Sequence, residues 1–271
     1  MKYLTREECK RIQLKILIEL DNICRKENLH YYIAYGSLLG AVRHGGFIPW
    51  DDDIDICMLR KDYESLLNII KSGVCDWIGI ADGECEGYYL PFAKAVDKNT
   101  CTKQEDSLLE HGIWVDIFPL DGIPSRGVVQ KLYLMGALFL RNTLLSGLTD
   151  FSTAKSQRDP KRLFKRVLSV FCKLCGGVDK VYRYTEKYMQ KYDYSITQTV
   201  GCLGTPYTRR EIYNIAIVDN LIDYEFEGHF FKGPQNYDSY LSLLYRNYMT
   251  LPPENKRRTH SITAWYKDEK K

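Results

Sequence analysis

The stretch YGSLLGAVRHGGFIPWDDDIDICMLRKDYE, residues 35–64, decides the fold. Just before it, Tyr31 to Tyr35 reads as a short strand. Gly36 and Ser37 break that strand, Ser37 caps a helical turn from Leu38 to His44, and Gly45-Gly46 end the turn before an extended Phe47-Ile48-Pro49-Trp50. Asp53-Ile54-Asp55-Ile56-Cys57-Met58 then alternates acid with apolar residue. In a strand, this alternation turns Asp53 and Asp55 to one face, with Asp51 at the same parity, and sends the isoleucines into a core. Paired same-face carboxylates are hard oxygen ligands suited to Mg²⁺ or Mn²⁺. A Gly-Ser turn opening a helix offers backbone N–H groups and a hydroxyl to a phosphate, and Gly36 has no side chain to keep the phosphate away.

Upstream, Thr5 and Glu8 form a capping box, and Ile12, Ile16, Leu20 and Ile23 recur at helical spacing, so an amphipathic helix runs to about Asn28. Downstream, a helix is expected over Lys61 to Lys71, and strands near Trp77 to Ala81, Tyr88 to Val96 and Ile113 to Phe118. The last strand sets Asp116 between Val115 and Ile117, a third acid on a neighbouring strand. Val128 to Gln190 is helical and increasingly basic, with breaks at Ser152 to Pro160 and at Gly176-Gly177. An extended piece at Ile215 to Val218, a turn region at Phe226 to Phe231 and a helix from Pro234 to about Tyr248 complete the pattern. The expected class is α+β: a mixed β-sheet core with flanking helices and a helical insert. Residues 1–125 form the catalytic core, 126–195 the insert, and 196–271 a segment completing the core domain. An Asp-x-Asp or a Gly-Ser pair alone is commonplace. Strand, Gly-Ser, helix, Asp-h-Asp-h and then h-Asp-h on another strand together have the order of the nucleotidyltransferase fold.

The 271 residues suffice for one large core, and 45% apolar with 27% charged residues excludes a disordered or fibrous chain. The net charge of +3 hides an asymmetry: Asp82 to Asp121 holds nine acids against three bases, Lys155 to Lys191 eleven bases against three acids. This pattern suits a metal-attracting half and a half that meets phosphates or an anionic surface, or else two solvated faces. Nine scattered cysteines, an odd number, fit reduced thiols in a cytoplasm. The Cys172–Cys175 pair lacks a second pair or a histidine and is assigned no metal. The charged amino terminus lacks a signal-peptide core, and the longest apolar run, Leu132 to Leu140, is far short of the roughly twenty residues a membrane span needs. No nucleic-acid reader motif is present, and nucleic acid is not an expected partner.

Residues 35–64 resemble the signature of the LicD family of phosphocholine-type transferases, to which fukutin-like proteins are related. YLPFAKAVDKNT (89–100), GIWVDIFPLDGIP (112–124) and FFKGPQNYDSYLSLLYRNYMTLPPENKRRTH (230–260) resemble further family blocks in the family's order. The resemblance implies a nucleotidyltransferase fold and a divalent metal. It also implies transfer of a phosphorylated alcohol from a CDP-linked donor, typically CDP-choline, to a cell-surface glycan, such as lipopolysaccharide or teichoic acid, or to its lipid-linked precursor. Carried onto this sequence, Gly36 and Ser37 would grip donor phosphate, Asp53 and Asp55 would ligate metal, and Asp116 would be the third carboxylate and the base for the acceptor hydroxyl. Where the family reads Tyr-Gly-Asp-Tyr, this chain has Tyr245-Arg246-Asn247-Tyr248, losing a helix-ending glycine and an acid.

Other residues carry two readings each. Asp51 adds a metal contact or is solvated, and Arg43 with His44 reaches phosphate or ends an exposed helix. Lys94 pairs with a phosphate or stands on an edge strand. Lys232, Pro234, Tyr237, Arg257, Arg258 and His260 belong to a tail that folds over the donor or merely packs. Lys161, Arg162, Lys165, Arg166 and Lys173, interleaved with apolar residues, make peripheral contact with an anionic membrane or form a solvated helix face. The rival activity is a nucleotidyltransferase moving a nucleoside monophosphate from an NTP onto a small molecule, sugar phosphate or RNA end, which releases pyrophosphate where the first reading releases CMP. A catalytically silent glycan- or nucleotide-binding module is a third reading, against which the three intact carboxylates argue.

Overall fold

Helix α1 (Arg6–Glu27) begins on a side-chain capping box and ends on a left-handed residue. The Glu8 N–H donates to Thr5 Oγ1 at 3.2 Å and the Thr5 N–H donates to the Glu8 carboxylate at 2.8 Å, while Asn28 takes the left-handed C-cap position with φ 54°. Ile16 and Leu17, with Leu20 one turn on, are fully buried against the sheet. These features come from a computed structural model, which describes residues 2–85, 87–103, 111–153, 157–205, 210–257, 259 and 262–267.

The central sheet runs in the order β1-β2-β6-β4-β3, with β1 (Tyr31–Ile33), β2 (Asp55–Leu59), β3 (Ile78–Ala81), β4 (Ala93–Asp97) and β6 (Trp114–Gly122). The β2 and β6 strands pair in parallel and the other neighbours antiparallel, so the sheet is mixed as expected. At the far end of β6, β7 (Thr199–Gly201) pairs antiparallel and carries β8 (Ile212–Asn214). Ile56, Met58, Val115 and Ile117 supply buried side chains, and α3 (Arg60–Lys71) packs Leu66 and Ile70 into the same core. A separate hairpin, β9 (Leu221–Phe226) with β10 (His229–Pro234), contacts β1, and β5 (Thr100–Lys103) pairs with β11 (Thr263–Tyr266), fastening the late chain to its middle.

Between β6 and β7 lie α4 (Val128–Gly147), α5 (Arg162–Leu174), α6 (Val178–Met189) and the short α7 (Tyr194–Thr197). They pack around apolar clusters of their own, Ile123, Tyr133, Leu134, Ala137, Met189 and Leu203 in one, and Leu144, Cys172 and Val181 in the other. A buried fork ties them to the sheet: Arg60 donates to both Asp121 oxygens at 2.8 and 2.6 Å and to Glu186 of α6 at 3.0 Å. All nine cysteines are free thiols. Among the described residues, no helix is long and apolar enough to cross a membrane.

Several elements differ from the sequence reading. The strand expected over Tyr88 to Val96 is confined to Ala93–Asp97. The piece expected to be extended at Ile215 to Val218 is a helical turn, α8 (Ala216–Asp219), because the Asn214 side chain accepts the Ala216 N–H at 2.9 Å. Pro234 ends β10 rather than opening a helix, and α9 (Tyr237–Tyr245) starts after Asn236, whose side chain accepts the Ser239 N–H. Residues Phe226 to Phe231 are mostly strand around a Glu227-Gly228 turn. Asp51 and Asp53 precede β2 instead of lying on it. Their loop is held by α1, where Arg6 donates to the Asp51 carbonyl at 2.8 Å and Gln13 to the Asp52 carbonyl at 2.9 Å, satisfying backbone groups that a ladder would otherwise have claimed.

Candidate active site

Strand register builds the site. Asp55 on β2 lies directly opposite Asp116 on β6, and Asp116 lies directly opposite Lys94 on β4, so the three side chains share one face of the sheet. Asp53, two residues before Asp55, approaches from the loop. One carboxylate oxygen each from Asp53, Asp55 and Asp116 come within 4.8 Å of one another. Asp55 is partly buried as a residue, with its carboxylate enclosed by this cluster. Burial, and then the charges of Asp53, Asp116 and Asp51, push the Asp55 carboxyl well above the ordinary carboxylate range, against a smaller opposing effect of Lys94.

Asp116 is the most constrained of the three. Lys94 Nζ donates to Oδ1 at 2.5 Å and Trp114 Nε1 donates to Oδ2 at 3.0 Å, which fixes the carboxylate while leaving each oxygen a further lone pair. The Lys94 ammonium also lies 4.2 Å from the Trp114 ring centroid. Lys94 is no edge-strand lysine: β4 is flanked by β6 and β3, and the residue is buried. Beside Trp114, His111 is pushed down to about 4 by burial and the Lys94 charge, so it is neutral at pH 7. A cavity of about 250 Å³ is lined in part by Arg6, Gln13, Asp52, Thr102 and Trp114, the residue that also holds Asp116.

The Gly-Ser turn differs from its expected form. Helix α2 (Tyr35–His44) begins at Tyr35, after an Ala34 N-cap with no side-chain bond, so Ser37 lies inside the first turn instead of capping it. Its buried Oγ accepts the Asp55 N–H at 2.9 Å, tying the turn to the carboxylate strand. Gly36 makes room for Asp51, since a Cβ there would run into the Asp51 carboxylate. Tyr35 holds a left-handed φ of 46°, a costly conformation for a bulky side chain and of a kind that clusters at functional sites. Gly45 ends α2 at φ 68° as expected.

Of the tail and flanking bases, Arg257 stands over the Trp50 ring at 4.5 Å, next to Asp51 in the chain, and Arg43 donates to the Tyr248 carbonyl at 2.6 Å. Lys232 does not join them. It pairs with Asp223 at 3.1 Å, a residue that also takes Arg25, and Arg25 lies twelve residues along α1 from Gln13, or about 18 Å at the helical rise. Arg258 and His260 lie outside the described residues. Trp114 and Trp50 were missed in the sequence. Trp114 was findable, because it is two residues from Asp116 on an alternating strand and so shares its face.

Residues 28–135 match the family model described as LicD/FKTN/FKRP, nucleotidyltransferase domain. That interval holds the three carboxylates, Gly36, Ser37, Arg43 and Lys94. The chain is 27% identical over 270 residues to the lipopolysaccharide cholinephosphotransferase LicD of Haemophilus influenzae, covering 98% of this chain and 99% of that one. It is 41% identical over 89 residues to an uncharacterized protein of Rickettsia prowazekii, 32% of this chain and 30% of the other. It is also 31% identical over 106 residues to the human ribitol 5-phosphate transferase FKRP, 38% of this chain and 19% of FKRP.

Proposed function

With residues 28–135 placed in the LicD family and the similarity to a LicD protein running nearly end to end, we propose that the chain is a metal-dependent phosphotransferase. It moves a phosphorylated alcohol, phosphocholine or a similar group, from a CDP-linked donor such as CDP-choline to a cell-surface glycan or its lipid-linked precursor. The observation that carries this reading is the convergence of Asp53, Asp55 and Asp116 within 4.8 Å on the matched interval.

The residues fit a divalent ion. The cluster offers only hard oxygen donors, and its mutual repulsion, with Asp55 pushed up, is the kind that a bound cation relieves. Asp53, Asp55 and Asp116 would hold Mg²⁺ or Mn²⁺, with Asp51 alongside. When bound, the ion would neutralise the donor diphosphate and stabilise charge at phosphorus. Ser37, whose oxygen already accepts the Asp55 N–H, keeps its own proton to donate to a donor phosphate, and the Gly36 backbone lies beside it at the start of α2. Arg43, in the last turn of α2, and Arg257, over Trp50 next to Asp51 in the chain, each have N–H groups beyond those engaged above and would bind donor phosphate. Asp116, fixed by Lys94 and Trp114, would accept the acceptor hydroxyl proton through a remaining lone pair. Residues 1–125 and 196–271 would form the catalytic unit, with 126–195 inserted, and free thiols throughout suit a cytoplasmic enzyme.

The family description also names a nucleotidyltransferase domain, which keeps nucleoside monophosphate transfer as the second reading. The products separate the two. Purified protein is incubated with Mg²⁺ and a panel of CDP-linked alcohols, choline and ribitol among them, with a glycan acceptor, and with or without EDTA. EDTA-sensitive CMP release, lost by at least about a hundredfold in Asp116→Asn, is expected. Pyrophosphate from a nucleoside triphosphate, with no CMP from any CDP donor, would establish the second reading.

A further inference from the structure

Helix α5 wears its apolar stripe on the outside. Leu163, Phe164, Val167, Val170, Phe171 and Leu174 follow helical spacing along one face and are 42–81% exposed, while Leu168 and Cys172 on the other side are the buried ones. A helix of a globular domain ordinarily turns such a stripe inward. Helix α4 repeats the arrangement, with Val128, Leu132, Met135 and Phe139 at 45–71% exposure. The Phe139 and Phe171 rings meet edge-on at 5.7 Å, joining the two stripes into one surface. Behind that junction lies a groove of about 490 Å³ whose lining, including Leu140, Val181 and Tyr184, is almost wholly apolar. An exposed apolar surface of this extent marks an interaction site.

Charge identifies the partner. Neither α4 nor α5 contains a single Asp or Glu. On α5, Arg166 and Lys173 run along one border of the stripe, while Lys165 lies on the opposite side of the helix. Lys165 is paired with Asp159 at 2.6 Å, whereas among the described residues no ion pair engages Arg166 or Lys173. An apolar stripe bordered by bases and free of acids matches an anionic bilayer surface, where the stripe enters the boundary between headgroups and acyl chains and the long basic side chains reach lipid phosphates. A second copy of the chain would set two such basic borders against each other.

We propose that the joined outer face of α4 and α5 is a membrane-docking surface for anionic lipid, holding the protein peripherally whatever its catalytic centre transfers. The test sediments the full chain with vesicles of phosphatidylcholine alone or of phosphatidylcholine with roughly a third phosphatidylglycerol, at physiological salt. The wild type is expected to bind the anionic vesicles in preference to the neutral ones. Leu163→Glu/Val167→Glu, at exposed positions that leave the melting temperature unchanged, is expected to weaken binding by about tenfold or more. Arg166→Gln/Lys173→Gln, which keeps the stripe intact, is expected to weaken it by about fivefold per charge removed. No binding to anionic vesicles, or equal binding by wild type and both variants, would overturn the proposal. So would a wild-type dimer in light scattering that Leu163→Glu/Val167→Glu converts to monomer, which would assign the face to a second copy.

Discussion

Asp55→Asn is expected to stabilise the metal-free protein near pH 8 and to abolish the stability that Mg²⁺ confers on the wild type. The Asp55 carboxyl sits well above its ordinary value of 3.8, first through burial and then through Asp53, Asp116 and Asp51. A carboxyl raised in this way holds its proton in the folded chain at pH values where the unfolded chain has released it. Its cost is therefore absent below about pH 4 and grows as pH rises through the raised folded value. Two unit charges 4.8 Å apart repel by about 3.5 kcal/mol at an effective dielectric near 20, and closer ones by more, which sets the scale of the relief per pair. Since the group lowers that repulsion by keeping its proton, a gain of about 1–3 kcal/mol for the Asn variant is reasonable, or about 2–10 °C in melting temperature for a chain of this size. Mg²⁺ at a hundred times its dissociation constant should add about 2.7 kcal/mol to the wild type and far less to the variant. Differential scanning calorimetry from pH 5 to 8, in EDTA and in Mg²⁺, reads both effects. A variant that melts below the wild type in EDTA at pH 8, or an equal Mg²⁺ shift in the two proteins, would refute the reasoning.

Lys94→Met leaves Asp116 buried without its ammonium and should cost about 3–5 kcal/mol in urea denaturation, with the Lys94→Met/Asp116→Asn double variant recovering much of the loss. Burial pushes the Glu211 carboxyl up to about 7, against the Thr205 and Tyr35 hydroxyls and the Arg141 charge. Its cost grows as pH rises from 4.5 through 7, so Glu211→Gln should remove about 3 kcal/mol of that pH dependence, and the same melts should show this loss to be indifferent to Mg²⁺. Arg246 occupies the C-cap of α9 at φ 61°, where the resembling family carries glycine, so Arg246→Gly should stabilise by about 0.5–1 kcal/mol in the same denaturation assay.

What the sequence by itself determined is local. The α1 helix with its capping box, the acid-apolar alternation at Asp55 to Met58 and at Asp116, the Gly45 helix end and the helical run after Val128 all rest on contacts within a few residues, and periodicity or capping chemistry exposes such contacts directly. The order of motifs also carried the resemblance to the LicD family, whose model matches residues 28–135. Tertiary structure alone decided which distant side chains meet. Parallel pairing of β2 with β6 set Asp55 opposite Asp116, and antiparallel pairing of β4 set Lys94 on the other side of Asp116. Lys232 went to Asp223 at the other end of α1, although it shares a sequence block with Arg257, which stacks on Trp50. Asp53 reached the cluster from a loop because Arg6 and Gln13, some forty residues earlier, hold the loop carbonyls that a strand would have paired. The outward turn of the α5 stripe was only one of two readings open in the sequence, since periodicity reports that a helix has an apolar face but not which way that face turns. Strand register and helix rotation are set by burying a shared core and satisfying every backbone group at once, a condition on the whole chain that no window of sequence contains.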